Sequence, residues 1–249
     1  MRAHGNKEFW LAALRADGPL FRAAVAEAAP DAPVPSCPEW TVAQLTGHLA
    51  SVYGFVTDHV GRGVTTAPQR RSTEPVAASV AEFDERFAAL VSLLDALDPE
   101  MPAWNWAPQS KRVSFWHRRM AHETAVHRWD AQMAAGLAEP VEAKLAADGV
   151  IEVLDTWLPA GKGRCPSAVQ GMVALSASDL EQTWYVRLRP NGGVALLDTD
   201  TLLDTDDHHE RAVATGTASD LQLALWGRIG LDLLTVNGEQ RLVECLQVG

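Results

Sequence analysis

The stretch Arg118-Arg-Met-Ala-His-Glu-Thr-Ala-Val-His-Arg-Trp-Asp130 decides how the first half of the chain is read. It lies in a segment from about Ser114 to Ala135, closed by Gly136, that reads as one long helix. Glu123 and His127 stand four apart on it, so their side chains leave the same face. Two donors at that spacing on one helix can share a metal ion. The string is HExxxH rather than HExxH. His122 sits about 100° round the helix from Glu123, so it falls outside the pair and the geometry of the zinc proteases does not apply.

Working outward, the residues before this helix also read as helices. Residues 7–29 carry Phe9, Trp10, Ala13, Leu14, Leu20, Phe21, Ala24 and Val25 at helical spacing. Gly18-Pro19 predicts a kink or break there. Pro30 to Trp40 holds four prolines and reads as a loop. Thr41 and Gln44 form a capping-box pattern. It opens a second helix with Leu45, His48, Leu49, Val52, Phe55 and Val56 along one stripe, ending near Gly61 or Gly63. A third helix is expected from about Pro75, a suitable first-turn residue, to Leu97. Residues 98–113, with Trp104 and Trp106, read as a loop. Four long helices joined by loops predict a four-helix bundle over residues 1–140.

After Pro140 the texture changes. Residues 144–158 read as one more helix. Thr183–Arg189 alternates like a strand, Gly192-Gly193 reads as a hairpin turn before Val194–Leu197, and Arg211–Thr215 is another short strand. A helix opening on Ser219 with Gln222, and a short helix over Asn237–Leu246, complete a small α+β domain over residues 141–249.

The chain has 249 residues, 47% hydrophobic and 21% charged, which excludes wholesale disorder. No run approaches the roughly 18 apolar residues of a membrane span. The first ten residues lack a signal-peptide pattern, so a cytoplasmic protein is expected. The formal charge is −11, which disfavours a nucleic-acid partner. Residues 1–140 carry 13 basic and 16 acidic groups, against 8 and 16 in residues 141–249, so the first half suits an anionic small substrate better. Cys37, Cys165 and Cys245 show no metal or redox spacing and are expected as reduced thiols.

His48 shares its stripe with Leu45, Val52 and Phe55, so it should point into the bundle and must find a partner there. A metal, a carboxylate or a backbone carbonyl would each serve. With Glu123 and His127 it completes a candidate three-ligand set. From spacing alone, an ordinary core histidine and a Glu123–His127 pair explain the same residues.

Two blocks add a resemblance. Cys37-Pro-Glu-Trp-Thr-Val-Ala-Gln-Leu-Thr-Gly-His48-Leu and Arg119-Met-Ala-His-Glu-Thr-Ala-Val-His127-Arg-Trp-Asp130 resemble the signature blocks of the mycothiol-dependent maleylpyruvate isomerase family. That family belongs to the DinB/YfiT-like metal-binding four-helix bundles. Gly216-Thr-Ala-Ser-Asp-Leu-Gln-Leu-Ala-Leu-Trp-Gly-Arg228 resembles its sterol-carrier-protein-like α+β C-terminal domain. The resemblance implies Zn²⁺, or another divalent metal, held by His48, Glu123 and His127. Three protein ligands leave a position open, as catalytic zinc sites do. It implies mycothiol as the thiol entering that position, where its pKa falls. Addition of the sulfur to the double bond of maleylpyruvate, rotation and elimination would give fumarylpyruvate. Transfer of the thiol to another small electrophile is the variant reaction. A non-catalytic metal- or small-ligand-binding protein and a metal-dependent hydrolase are the alternatives.

Arg119, one turn before Glu123, and Arg228 are candidates for binding a substrate carboxylate. The resemblance suggests that the domain carrying Arg228 closes over the site. Trp104 and Trp106 are candidates to wall the pocket. Arg70 and Arg71 read as solvated. The run Asp204, Asp206, Asp207, His208, His209 and Glu210 lacks EF-hand spacing and reads as a solvated turn. Cys37 reads as a packing residue. The expected protein is a monomer or homodimer acting on small molecules.

Overall fold

The computed structural model describes residues 5–69, 76–163, 165–166, 169–190, 193–197 and 210–248. It forms two compact units, Gly5–Val141 and, in the main, Glu142–Gly249.

In the first unit four helices surround one core: α1 (Lys7–Glu27), α2 (Val42–Val60), α3 (Val80–Ala96) and α4 (Val113–Ala135). Leu14 and Phe21 of α1 meet Leu45, Leu49 and Tyr53 of α2, Phe83, Leu90 and Leu94 of α3, and Trp116 and Met120 of α4. The Thr41–Gln44 capping box starts α2, and Gly136, at φ 70°, ends α4 in the left-handed conformation that favours glycine.

Helix α1 runs through Gly18-Pro19 without the break that sequence allowed there. Packing holds that turn: Phe87 fills the space where a side chain on residue 18 would lie, and Asp17 pairs with Arg128 of α4 at 3.0 Å. Arg128 also donates to Gln132 and to the carbonyls of Glu139 and Pro140. Helix α3 is capped by Ser79 and starts later than sequence suggested; Pro75 lies outside the described residues. The proline-rich stretch is not a plain loop either. It forms an antiparallel hairpin, β1 (Pro33–Val34) with β2 (Cys37–Thr41), leading directly into α2.

The second unit begins with α5 (Ala143–Glu152), which continues as a π-helical turn over Val153–Trp157. A five-stranded sheet follows, built from β3 (Gly171–Ala177), β4 (Gln182–Leu188), β5 (Val194–Leu197), β6 (Arg211–Gly216) and β7 (Thr235–Gly238) in the order β5-β4-β3-β6-β7. Neighbours are antiparallel except β3 and β6, which run parallel from Met172↔Arg211 to Ala177↔Gly216. Alternate residues Val173, Leu175, Trp184, Val186, Ala212 and Ala214 are buried, which makes one face of the sheet its core.

Helix α6 (Ala218–Leu225) packs on β3 and β6, and α7 (Gln240–Glu244) ends the unit. The cap of α6 is Thr217 with Asp220, two residues before the expected Ser219–Gln222 pair. Asn237 belongs to β7, not to the expected terminal helix. The turn at Gly192 lies outside the described residues. Cys165 and Cys245, expected as reduced thiols, form a disulfide, because the fold brings residues 80 apart in sequence to a Cα–Cα distance of 4.2 Å. Cys37 takes no part in a disulfide. No helix among the described residues is long and apolar enough to cross a membrane.

Candidate metal centre

Helix periodicity builds the site. His48 lies on α2 between Leu45 and Leu49, whose side chains anchor that face in the core. Glu123 and His127 lie one turn apart on α4, a helix buried on nearly every face. The ligand atoms of His48, Glu123 and His127 all fall within 4.8 Å of one another. Glu123 Oε1 is the centre: it lies 3.0 Å from His48 Nε2 and 3.5 Å from His127 Nε2.

The far side of each α4 donor is also occupied. Arg119 Nη2 donates to Glu123 Oε2 at 2.7 Å. His127 Nδ1 lies 2.8 Å from Asp130 Oδ2. Ser36 Oγ donates to Asp130 Oδ1 at 2.5 Å, and Cys37 Sγ lies 3.8 Å from Asp130 Oδ2. The Trp40 ring lies 4.8 Å from that of His48 and 6.2 Å from that of His127. The side chains of Glu123 and His127 are 14% and 8% exposed, against 26% for His48, so the cluster is most open at His48.

The electrostatics suit an anionic ligand set. Burial pushes the Glu123 carboxyl up, but the Arg119 charge and the hydrogen bonds from His127 and His48 together outweigh it and hold the group well below the usual carboxylate range. Burial pushes His127 down, and its contacts with Asp130 and Glu123 outweigh that and raise it above an ordinary histidine. Two imidazole nitrogens and one carboxylate oxygen are the donor set that catalytic zinc sites use. The residues present therefore fit a divalent cation by donor type, convergence and outer support.

The other candidate residues separate. Arg119 is nearly fully buried and its guanidinium is engaged with Glu123. Trp104 packs edge-on against Phe55 and His59, and its carbonyl accepts from Trp116 Nε1. Trp106 packs edge-on against Phe115. The indole beside the candidate ligands is Trp40. Arg228 follows α6 in the second unit, donating to the Trp226 carbonyl at 3.0 Å. His122 is fully buried and is not part of the cluster. Asp204, Asp206, Asp207, His208 and His209, like Arg70 and Arg71, lie outside the described residues; Glu210 pairs with Arg241. Sequence reasoning assigned no role to Ser36, Trp40 or Asp130. For Asp130 a signal existed, since His127-x-x-Asp130 places the two on one helical face.

Comparison with known proteins now decides the family. The profile for the mycothiol maleylpyruvate isomerase N-terminal domain matches residues 11–132, and the profile for the MDMPI C-terminal domain matches residues 144–244. The chain belongs to the mycothiol-dependent maleylpyruvate isomerase family. Among solved structures, the crystal structure of the mycothiol-dependent maleylpyruvate isomerase superposes with a TM-score of 0.67 at 13% identity, covering 94% of this chain and 95% of that one. A mutant of that enzyme with one histidine replaced by alanine superposes at 0.66, with the same identity and coverage. At that identity the likeness concerns the fold, a helical region followed by a sheet-containing domain. No curated protein matches the sequence.

Proposed function

We propose that this member of the maleylpyruvate isomerase family is a zinc enzyme that uses mycothiol as cofactor or co-substrate. Its reaction is cis–trans isomerisation of maleylpyruvate or a similar electron-poor unsaturated acid, or transfer of the thiol to a small electrophile. The observation that carries the reading is the convergence of His48 Nε2, His127 Nε2 and Glu123 Oε1 in a chain of this family.

A divalent cation held by His48, Glu123 and His127 would lower the pKa of a thiol bound to it and so supply a sulfur nucleophile. The protein does the rest. Arg119 keeps Glu123 ionised, so the carboxylate serves as an anionic donor to a cation and not as an acid. The greater exposure of His48 makes its side the approach for a small molecule. Trp40 lies beside both imidazoles and limits the water that reaches them.

Cobalt substitution of metal-stripped protein tests the reading. Mycothiol added to the cobalt protein should produce a sulfur-to-cobalt charge-transfer band, and the zinc protein should isomerise maleylpyruvate only when the thiol is present. His48→Ala and His127→Ala should both lose tight zinc binding while keeping their helical circular dichroism. Cobalt protein that shows no sulfur band, together with thiol-independent turnover of an ester or amide panel, would replace this reading with a hydrolase.

A further inference from the structure

Asp130 has no exposed surface, although a buried carboxylate is costly unless it is fully engaged. Its two oxygens serve two parts of the structure. Oδ2 faces His127 Nδ1 at 2.8 Å, three residues back on α4. Oδ1 takes the Ser36 hydroxyl at 2.5 Å, across 94 residues of sequence, and Cys37 Sγ approaches Oδ2. Ser36 precedes β2, and the same strand brings Trp40 against His48 and His127. The hairpin before α2 thus grips the back of the site through Asp130 and its side through Trp40.

A neutral ring whose proton is held on Nδ1 by Asp130 keeps its Nε2 lone pair for a cation. His127 Nε2 is the atom that faces Glu123 Oε1. We infer that Asp130, pinned by Ser36, is a positioning residue for the cation: it holds the His127 ring in the tautomer and orientation that ligation requires. The inference rests on the proposed metal site and adds to it a second carboxylate that never touches the metal. Removing such an outer partner weakens metal affinity by about 10- to 100-fold.

A purely structural role, tying the hairpin to α4, predicts something different. It would lower stability in Asp130 and Ser36 variants alike and leave metal affinity unchanged in whatever protein folds. The test uses metal-stripped full-length protein and measures zinc affinity by competition with a chromophoric chelator, alongside the cobalt visible spectrum. Asp130→Ala should weaken zinc binding by about 10- to 100-fold and alter the cobalt ligand-field bands. Asp130→Asn, which keeps an acceptor oxygen for Nδ1–H, should recover part of both; as the near-isosteric variant, it carries the test if the alanine protein fails to fold. Ser36→Ala should have a smaller effect of the same kind. In a His127→Ala background, Asp130→Ala should cost nothing further.

Zinc affinity within twofold of wild type in both Asp130 variants overturns the inference alone, provided His127→Ala weakens zinc binding to a lower but measurable level. An equal loss from Asp130→Ala with and without His127 also overturns it, because the effect would not pass through that ring. Wild-type protein that holds no zinc more tightly than His48→Ala overturns the metal reading, and the inference with it.

Discussion

Glu123→Gln removes one charge from the centre of the site at almost constant volume. In metal-free protein the Glu123 carboxylate meets Arg119 at 2.7 Å, with the two side chains 14% and 4% exposed, so solvent screens the pair weakly. Two effects oppose each other. Burial penalises the carboxylate, and glutamine would relieve that penalty. The depressed pKa decides the balance: the folded protein favours the ionised form over the protonated one despite burial. Breaking a buried pair costs about 3–5 kcal/mol. The glutamine carbonyl keeps one hydrogen bond to the charged Arg119, worth about 1.5–3 kcal/mol. The net loss is roughly 1–3 kcal/mol, a fall of about 3–9 °C in the melting temperature of the bundle. Calorimetry or far-ultraviolet dichroism on chelator-treated protein at pH 7 reads it directly. The same contribution in wild type should fade as acid protonates Glu123, starting below its ordinary value near 4.5. A metal-free Glu123→Gln protein that melts at or above wild type would refute the reasoning, because the carboxylate would then be a net burden that only a cation relieves.

Other outcomes follow from the same geometry. Burial lowers the pKa of both His59 and His117 below the ordinary 6.5, so below that pH the unfolded chain binds protons that the folded bundle does not. Stability should therefore fall from about pH 6.5 toward the lowered folded values, and His59→Phe should flatten that slope; an unchanged slope in melts between pH 5 and 6.5 rejects the assignment. His127, whose pKa is raised, acts above 6.5 and with the opposite sign, so the windows are separable. Trp40→Leu should keep its zinc and raise KM for thiol or substrate by about 2- to 12-fold, the worth of one aromatic contact. Loss of the metal, or an unmoved KM, contradicts a wall role. Protein purified without reductant should present one reactive thiol, Cys37, when denatured, and three after reduction. Reduction should cost the second unit about 2–4 kcal/mol, and three thiols before reduction would sink the pairing.

Much of this was legible because local rules and tertiary packing agree. Thr41, Gln44 and Gly136 mark helix ends by chemistry that acts within a few residues, and each end falls where those residues put it. The convergence of His48 with Glu123 and His127 was legible for a similar reason. Helical period alone sends His48 inward with Leu45 and Leu49, and puts Glu123 and His127 on one face.

What escaped depends on distant partners. Prolines concealed the hairpin at residues 33–41, whose bonds to Asp130 span more than ninety residues. Strand β3 passed unnoticed because its outward residues, Met172, Ala174 and Ser176, are small or apolar and blur the alternation. Pro19 should break a helix by local rules, but Phe87 and the Asp17–Arg128 pair override it. Trp104 and Trp106 read as pocket walls through their position in a loop, whereas Trp40 reaches the candidate ligands only because its hairpin folds back. Cys165 and Cys245 meet through the closure of the sheet, for which no short-range spacing exists.

The parallel pairing of β3 with β6 carries a consequence in time. Its partners stand 39 residues apart, from Met172↔Arg211 onward, so the middle of the sheet cannot zip until the sixth strand has been synthesised. A ribosome adding roughly 5–20 residues per second needs several seconds to travel from Gly136 to Gly216. Helical assemblies form in microseconds to milliseconds. All three candidate donors are thus made early, and a nascent chain has time to gather them while its second half is still being translated. Ribosome-stalled chains should accordingly acquire protease resistance in the bundle before the sheet exists.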